Sequence, residues 1–199
     1  VYLSEYHKTQ KILHVGCEKP TAYMIPYESA QKAAEGTRGR SAYFTNLCGE
    51  WRFGYFPSLA RLGGVERLAD VPIGEERLTV PMSWQYALGR GYDTPDYINQ
   101  KYPFPVTPPE VPADNPTGIY ERCFFCRIKE EKEYYLRFEG VDSCYYLFVN
   151  GKFAAYSQVS HCMDEINVTP YLCDGENTVR VAVLKWCDGS YLEDQAKFR

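Results

Sequence analysis

The sequence predicts an all-β protein, a β-sandwich preceded by an extended N-terminal arm. Tyr, Phe and Trp make up 16% of the 199 residues, and aromatic side chains favour strands because they fit a pleated surface. Short apolar runs alternate with turn-forming residues along most of the chain, and no long stretch has helical periodicity. Many short strands separated by turn signals are typical of a sandwich.

The first 45 residues differ from the rest of the chain. They contain prolines, glycines and small polar residues without sustained periodicity, which predicts an extended arm on the surface. A short helical turn around Ser29–Ala34 is compatible with this pattern. We therefore divide the chain into an arm, residues 1–45, and a sandwich domain, residues 46–199.

Strand patterns begin after Asn46. "GEWRFGYF" (Gly49–Phe56) alternates aromatic residues, and "RLTVP" (Arg77–Pro81) ends a second strand at a proline. Residues 82–117 then form a long loop, because prolines in "PFPVTPPEVPADNPTG" exclude both a helix and a central strand. A loop of this length inside a compact domain is usually functional.

Regular strands follow this loop, and turn residues separate them. Asn150-Gly151 lies between two apolar runs and predicts a tight hairpin, because both residues tolerate positive φ. A second turn is predicted at Asp174-Gly175, and Val179, Val181 and Val183 after it alternate on one face of a predicted strand. The predicted strands are Ile119–Ile128, Glu133–Phe138, Tyr145–Val149, Phe153–Tyr156 and Thr178–Trp186.

Composition excludes several classes of partner. The formal net charge is −4 without a basic stripe, which argues against nucleic-acid binding. No apolar run approaches the roughly 18 residues of a membrane span. The eight cysteines are too sparse for a disulfide scaffold, so we expect reduced thiols and a cytoplasmic protein.

Sequence motifs give no support for a zinc site, a catalytic histidine relay or a nucleotide-binding site. Cys123 and Cys126 form a single CxxC within a predicted strand, and no second pair completes a zinc site. The three histidines are scattered, so spacing supports no catalytic relay. Neither a phosphate-binding loop nor a dinucleotide fingerprint occurs.

Two loops remain as candidates for binding. Asn115 precedes a proline, which extends its backbone and orients its amide, and Asp188 follows a predicted strand end and precedes a glycine. Such groups bind sugar hydroxyls or contribute oxygen ligands to a cation. Composition alone favours the simpler interpretation, in which they are the amide and the carboxylate of ordinary turns, and spacing does not show whether the two loops meet.

The segments from "LCGEWRF" to "DGSYLEDQ" resemble the N-terminal sugar-binding domain of glycoside hydrolase family 2 β-galactosidases, and the phrases "DNPTGIY" and "DGSYLEDQ" are the most specific to that family. The resemblance covers about residues 47–195. It implies a jelly-roll sandwich of the galactose-binding type. It also implies that Asn115 hydrogen-bonds the galactosyl unit, and that Asp188 contacts the sugar hydroxyls and helps to hold a sodium ion.

The same resemblance implies a larger parent enzyme. In this family both catalytic carboxylates and the magnesium ligands come from a downstream catalytic barrel, so we expect no catalytic residue here and a fragment that is inactive alone. The parent enzyme is expected to act on β-galactosides and to be a homo-oligomer. β-Glucuronidases and β-mannosidases contain related sandwiches. The alternative is a stand-alone carbohydrate-binding module or a β-sandwich interaction domain.

Overall fold

The computed structural model describes residues 3–87, 89–96 and 101–193, and this part of the chain contains nine strands joined by loops and short helical turns. The strands are β1 (His14–Val15), β2 (Gly49–Phe56), β3 (Arg77–Val80), β4 (Thr117–Cys126), β5 (Tyr135–Phe138), β6 (Cys144–Val149), β7 (Lys152–Ser157), β8 (Asp164–Asn167) and β9 (Gly175–Leu184).

Helical structure in the described part of the chain is confined to short segments. The one α-helix among the described residues, α1 (Ala30–Ala34), begins after Ser29, whose side chain accepts a hydrogen bond from the Lys32 backbone N–H. The helical turn predicted near Ser29–Ala34 is therefore confirmed. Seven 3₁₀ turns complete the helical elements within residues 3–87, 89–96 and 101–193: Leu3–Lys8, Arg38–Arg40, Ala60–Leu62, Val65–Arg67, Trp84–Tyr86, Thr169–Tyr171 and Asp188–Glu193.

The strands form two antiparallel sheets. The larger sheet has the order β1-β7-β6-β9-β4-β2-β3, and β5 pairs with β8 in the smaller one. The turn between β6 and β7 has positive φ at both Asn150 and Gly151, as the sequence predicts for this hairpin. The predicted all-β jelly-roll sandwich is confirmed.

One core lies between the two sheets, on one face of the large sheet. Val179, Val181 and Val183 alternate along β9 and all face this core, as expected for a period of two residues. Trp51, Tyr145 and other buried side chains surround them. This alternation was predicted from the sequence.

The opposite face of the large sheet is also buried. Its core includes Tyr146, Tyr156 and Leu184, and Leu3 and Tyr6 from the arm pack against it. All six residues of β6 are consequently buried. The start of the arm covers this second core, which is a closer association than the predicted extended segment on the surface.

Candidate functional site

The two loops singled out in the sequence meet through a pair of hydrogen bonds. The side-chain Nδ2 of Asn115 donates to the backbone oxygen of Trp186 at 2.7 Å, and its Oδ1 accepts from the Trp186 backbone N–H at 3.0 Å. Asn115 has no exposed surface, and Trp186 is 8% exposed. The amide thus joins the end of the long loop to the segment that carries Asp188.

Further bonds connect the same two segments. The backbone N–H of Lys185 donates to the Pro116 oxygen at 2.9 Å. The hydroxyl of Tyr102 donates to the backbone oxygen of Tyr191 at 2.5 Å. The hydroxyl of Tyr191 in turn donates to the backbone oxygen of Glu110 at 2.5 Å. These reciprocal contacts fix the proline-rich part of the loop against the last 3₁₀ turn.

A groove of about 480 Å³ lies between these two segments. Phe104 and Trp186 line it, with their rings 5.1 Å apart in an edge-to-face arrangement. The acidic residues Glu110 and Asp114 also line the groove. Aromatic faces beside hydrogen-bonding carboxylates are typical of a small polar ligand site.

Lys185 supplies the positive charge of the groove. Its Nζ lies 2.5 Å from Oδ2 of both Asp93 and Asp96, and 5.0 Å from the centre of the Trp186 ring. Lys185 is 8% exposed, so the two carboxylates compensate a nearly buried cation. This cluster orders residues 93–96 along one wall of the groove.

Asp188 lies beyond Trp186, at the first position of the last 3₁₀ turn. It is 5% exposed, and its Oδ1 is buried with no hydrogen-bond partner among the described residues. Burial raises the pKa of the Asp188 carboxyl, and a hydrogen bond from the Gln158 side chain opposes that rise. A buried carboxylate oxygen without a partner is costly, and a bound cation or a hydroxyl donor would relieve that cost.

We expect Asp188→Asn to stabilise the chain at pH 7 by about 1 kcal/mol, because it removes an uncompensated buried charge. The pKa of Asp188 is raised in the folded state, so its ionisation opposes folding increasingly as the pH rises above the ordinary pKa of an aspartate. The advantage of the variant should therefore shrink as pH falls toward that value. Thermal unfolding at pH 7 and pH 5 measures the effect.

Asp70→Asn is the matched control, because Asp70 is exposed, and its unfolding temperature should stay near that of the wild type. Destabilisation by Asp188→Asn at pH 7 would contradict the proposed cost of the buried charge.

Sequence reasoning identified Asn115 and Asp188 but missed the groove beside them. Lys185, Asp93 and Asp96 come from segments that are about 90 positions apart in the chain, and no local pattern joins them. The available signals were the length of the 82–117 loop and the aromatic residue Trp186, two positions after the end of β9. Asn115 itself does not line the groove, although its neighbours Asp114 and Pro116 do.

Curated relatives match almost the whole chain. It is 45% identical over 197 residues to a β-galactosidase of Actinobacillus pleuropneumoniae. The aligned region covers 99% of this chain and 19% of that protein. It is 39% identical over 197 residues to a β-galactosidase of Staphylococcus xylosus, and that alignment covers 98% of this chain and 19% of the relative. The chain therefore spans about a fifth of the length of these relatives.

Solved structures with similar folds include a β-glucuronidase from an uncultured Clostridium species. That structure superposes with a TM-score of 0.52 at 21% identity, over 70% of this chain and 21% of the other. At this identity the similarity supports the fold alone.

No helix in the described part of the chain is long and apolar enough to cross a membrane.

The family model that describes the sugar binding domain of glycosyl hydrolases family 2 matches residues 44–199. This range contains the groove, both candidate loops and all strands from β2 to β9. Together with the identity to the curated relatives, it establishes the family: the chain belongs to the sugar-binding domains of glycosyl hydrolase family 2.

Proposed function

We propose that this chain is the substrate-contacting domain of a β-galactosidase, an enzyme that hydrolyses terminal β-D-galactosides. One observation carries the proposal: relatives named β-galactosidase match 98–99% of the chain at 39–45% identity. The two loops around Asn115 and Asp188 meet in the structure, which supports a common role.

Asp188 is the first substrate contact in this proposal. Its buried Oδ1 has no hydrogen-bond partner among the described residues, so it is free to accept a sugar hydroxyl or to bind a cation. A sodium ion fits this donor because hard cations prefer carboxylate oxygens. Sodium would supply the positive charge that the buried carboxylate lacks and would offer further coordination to sugar oxygens.

Asn115 is the second contact in this proposal. Its amide keeps one hydrogen and one lone pair beyond its two bonds to Trp186, so it can bind a galactosyl hydroxyl while it holds Trp186. Because Asn115 has no exposed surface, this contact requires the residues that cover its amide to move when the sugar binds.

The catalytic chemistry belongs to another part of the parent protein in this proposal. A retaining glycosidase needs two carboxylates about 5 Å apart, one as nucleophile and one as acid and base. We assign them, and a magnesium ion, to a downstream catalytic barrel, so this chain should be inactive alone. We also propose a cytoplasmic homo-oligomer as the parent, and the eight free cysteines support a reducing compartment.

The test is hydrolysis of o-nitrophenyl β-D-galactoside and of the corresponding β-D-glucuronide. We expect the full-length protein that carries this chain to cleave the galactoside, and the 199-residue chain to cleave neither. Preference of the full-length protein for the glucuronide would overturn the assigned substrate. Robust turnover by the 199-residue chain would overturn its catalytic incompleteness.

The groove itself favours a second candidate, a stand-alone carbohydrate-binding module. Phe104 and Trp186 beside Glu110 and Asp114 are groups that can stack on and hydrogen-bond a sugar. Calorimetry with lactose separates the two functions. A site completed by another domain lacks many of its contacts, so we expect millimolar or weaker affinity for the chain alone. Micromolar affinity would favour the binding module.

A further inference from the structure

A cluster of three potential metal ligands lies outside the two sugar loops, where the arm meets the small sheet. His14 and Cys17 belong to the arm, and Asp164 begins β8. One ligand atom from each residue lies within 4.8 Å of the other two. The Nδ1 of His14 is 3.6 Å from Oδ1 of Asp164, which is longer than a normal hydrogen bond and close to the spacing of two ligands on one metal ion.

The backbone of the arm holds these ligands in place. His14 is paired with Ser157 of β7 in the large sheet, and the Glu18 backbone N–H donates to the Glu165 oxygen at 2.8 Å. The chain turns between these anchors at Gly16, where φ is +71° and an added Cβ would lie 2.2 Å from the Ala154 oxygen. Only glycine fits this turn, which brings His14 and Cys17 to the same carboxylate.

The surroundings of the cluster favour a cation. Asp164 is 7% exposed, and its Oδ2 accepts a hydrogen bond from the Tyr145 hydroxyl at 2.9 Å. A thiolate beside this nearly buried carboxylate needs a bound positive charge.

We propose that His14, Cys17 and Asp164 bind a zinc ion that fastens the arm to the small sheet. A nitrogen, a sulfur and an oxygen ligand form the mixed donor set that zinc accepts, and bonds of about 2.0–2.3 Å place tetrahedral ligands roughly 3.5 Å apart. His14 is 36% exposed at its side chain, so solvent can supply the fourth ligand.

The zinc ion replaces the proton of the Cys17 thiol, which is released to solvent as the sulfur–zinc bond forms. The Tyr145 hydroxyl then orients the Asp164 carboxylate as an outer partner. Ser157, whose hydroxyl lies 3.0 Å from His14 Nδ1, must release that nitrogen when it binds the metal. The site does not rest on the proposed sugar function, because none of its ligands belongs to the loops of that site.

Cobalt(II) and zinc titrations of the full-length protein that carries this chain test the proposal. Wild type and Cys48→Ser, the matched control at an exposed cysteine, should show a thiolate-to-cobalt charge-transfer band and bind one equivalent more zinc than Cys17→Ser. Cys17→Ser should lack the band. Equal zinc stoichiometry and equal cobalt spectra in wild type and Cys17→Ser would overturn the proposal.

Two further variants keep the test decisive if Cys17→Ser fails to fold. His14→Ala changes a partly exposed side chain and should also lose the additional equivalent of zinc. Tyr145→Phe keeps the three ligands and should weaken zinc binding about tenfold, the lower range for loss of an outer partner. Full zinc affinity in His14→Ala would contradict the assignment.

Discussion

Replacing Asn115 by alanine is expected to destabilise the chain by about 2–4 kcal/mol. The substitution removes both partners of the Trp186 backbone, and each buried polar group left unpaired costs about 1–3 kcal/mol. Water cannot easily replace them, because Trp186 is only 8% exposed. Urea unfolding, with the midpoint and slope fitted together, measures the change.

Two companion variants sharpen this result. Asn115→Asp keeps an acceptor for the Trp186 N–H but loses the donor to its oxygen and buries a charge, so it should also be destabilising. Asn46→Ala is the control, because its side chain accepts only an exposed backbone hydrogen bond from Cys48; we expect a loss below about 1 kcal/mol. Wild-type stability of Asn115→Ala would show that the amide does not hold the two loops together.

Arg180→Met is expected to destabilise the chain by about 3 kcal/mol. Arg180 is 13% exposed at its side chain, and its Nε donates to Oε2 of Glu121 at 2.8 Å. Its guanidinium also donates to the backbone oxygens of Ala69 and Val71, at 2.7 and 2.9 Å. Breaking a buried ion pair typically costs about 3–5 kcal/mol.

The expected cost of Arg180→Met is at the lower end of the range for a broken buried ion pair, because Glu121 keeps a second partner. Arg52 lies 2.7 Å from the other carboxylate oxygen of Glu121. Arg90→Met is the control, because Arg90 is 44% exposed, and it should change the free energy of unfolding by less than about 0.5 kcal/mol. Chemical denaturation of the two variants side by side provides the measurement. Equal stabilities would contradict a structural role of the Arg180 network.

Local sequence patterns predicted much of the large sheet. The extent of β2, the turn at Asn150-Gly151 and the alternation of β9 all depend on residues that are close in sequence. The short strand β8 was missed, because its sequence, Asp164–Asn167, has two acidic residues and one amide around a single apolar residue. Its pairing with β5 provides the tertiary context that overrides this weak strand propensity.

The burial of both faces of the large sheet could not be predicted either. Strand β6 is buried throughout because the start of the arm, more than 130 positions earlier in the chain, covers one face. There, His7 is 2% exposed and its Nδ1 lies 3.0 Å from the Tyr146 hydroxyl. A sequence window around β6 contains no information about this contact.

The candidate site was predictable in its parts but not in its assembly. Asn115 and Asp188 stand out locally, since one precedes a proline and the other a glycine. The bond between Asn115 and Trp186 joins positions 71 residues apart, so only the folded chain brings the two loops together. The sugar and sodium roles of Asn115 and Asp188 remain proposals.

The kinetics of Asp188→Asn in the full-length protein test the central claim most directly. With o-nitrophenyl β-D-galactoside at several sodium concentrations, we predict that kcat/KM falls about tenfold to a hundredfold, as expected for loss of one charged hydrogen bond. The response to sodium should disappear as well, while Asp70→Asn keeps both properties. If Asp188→Asn retains the wild-type kcat/KM and the wild-type sodium response, Asp188 contacts neither the sugar nor the ion.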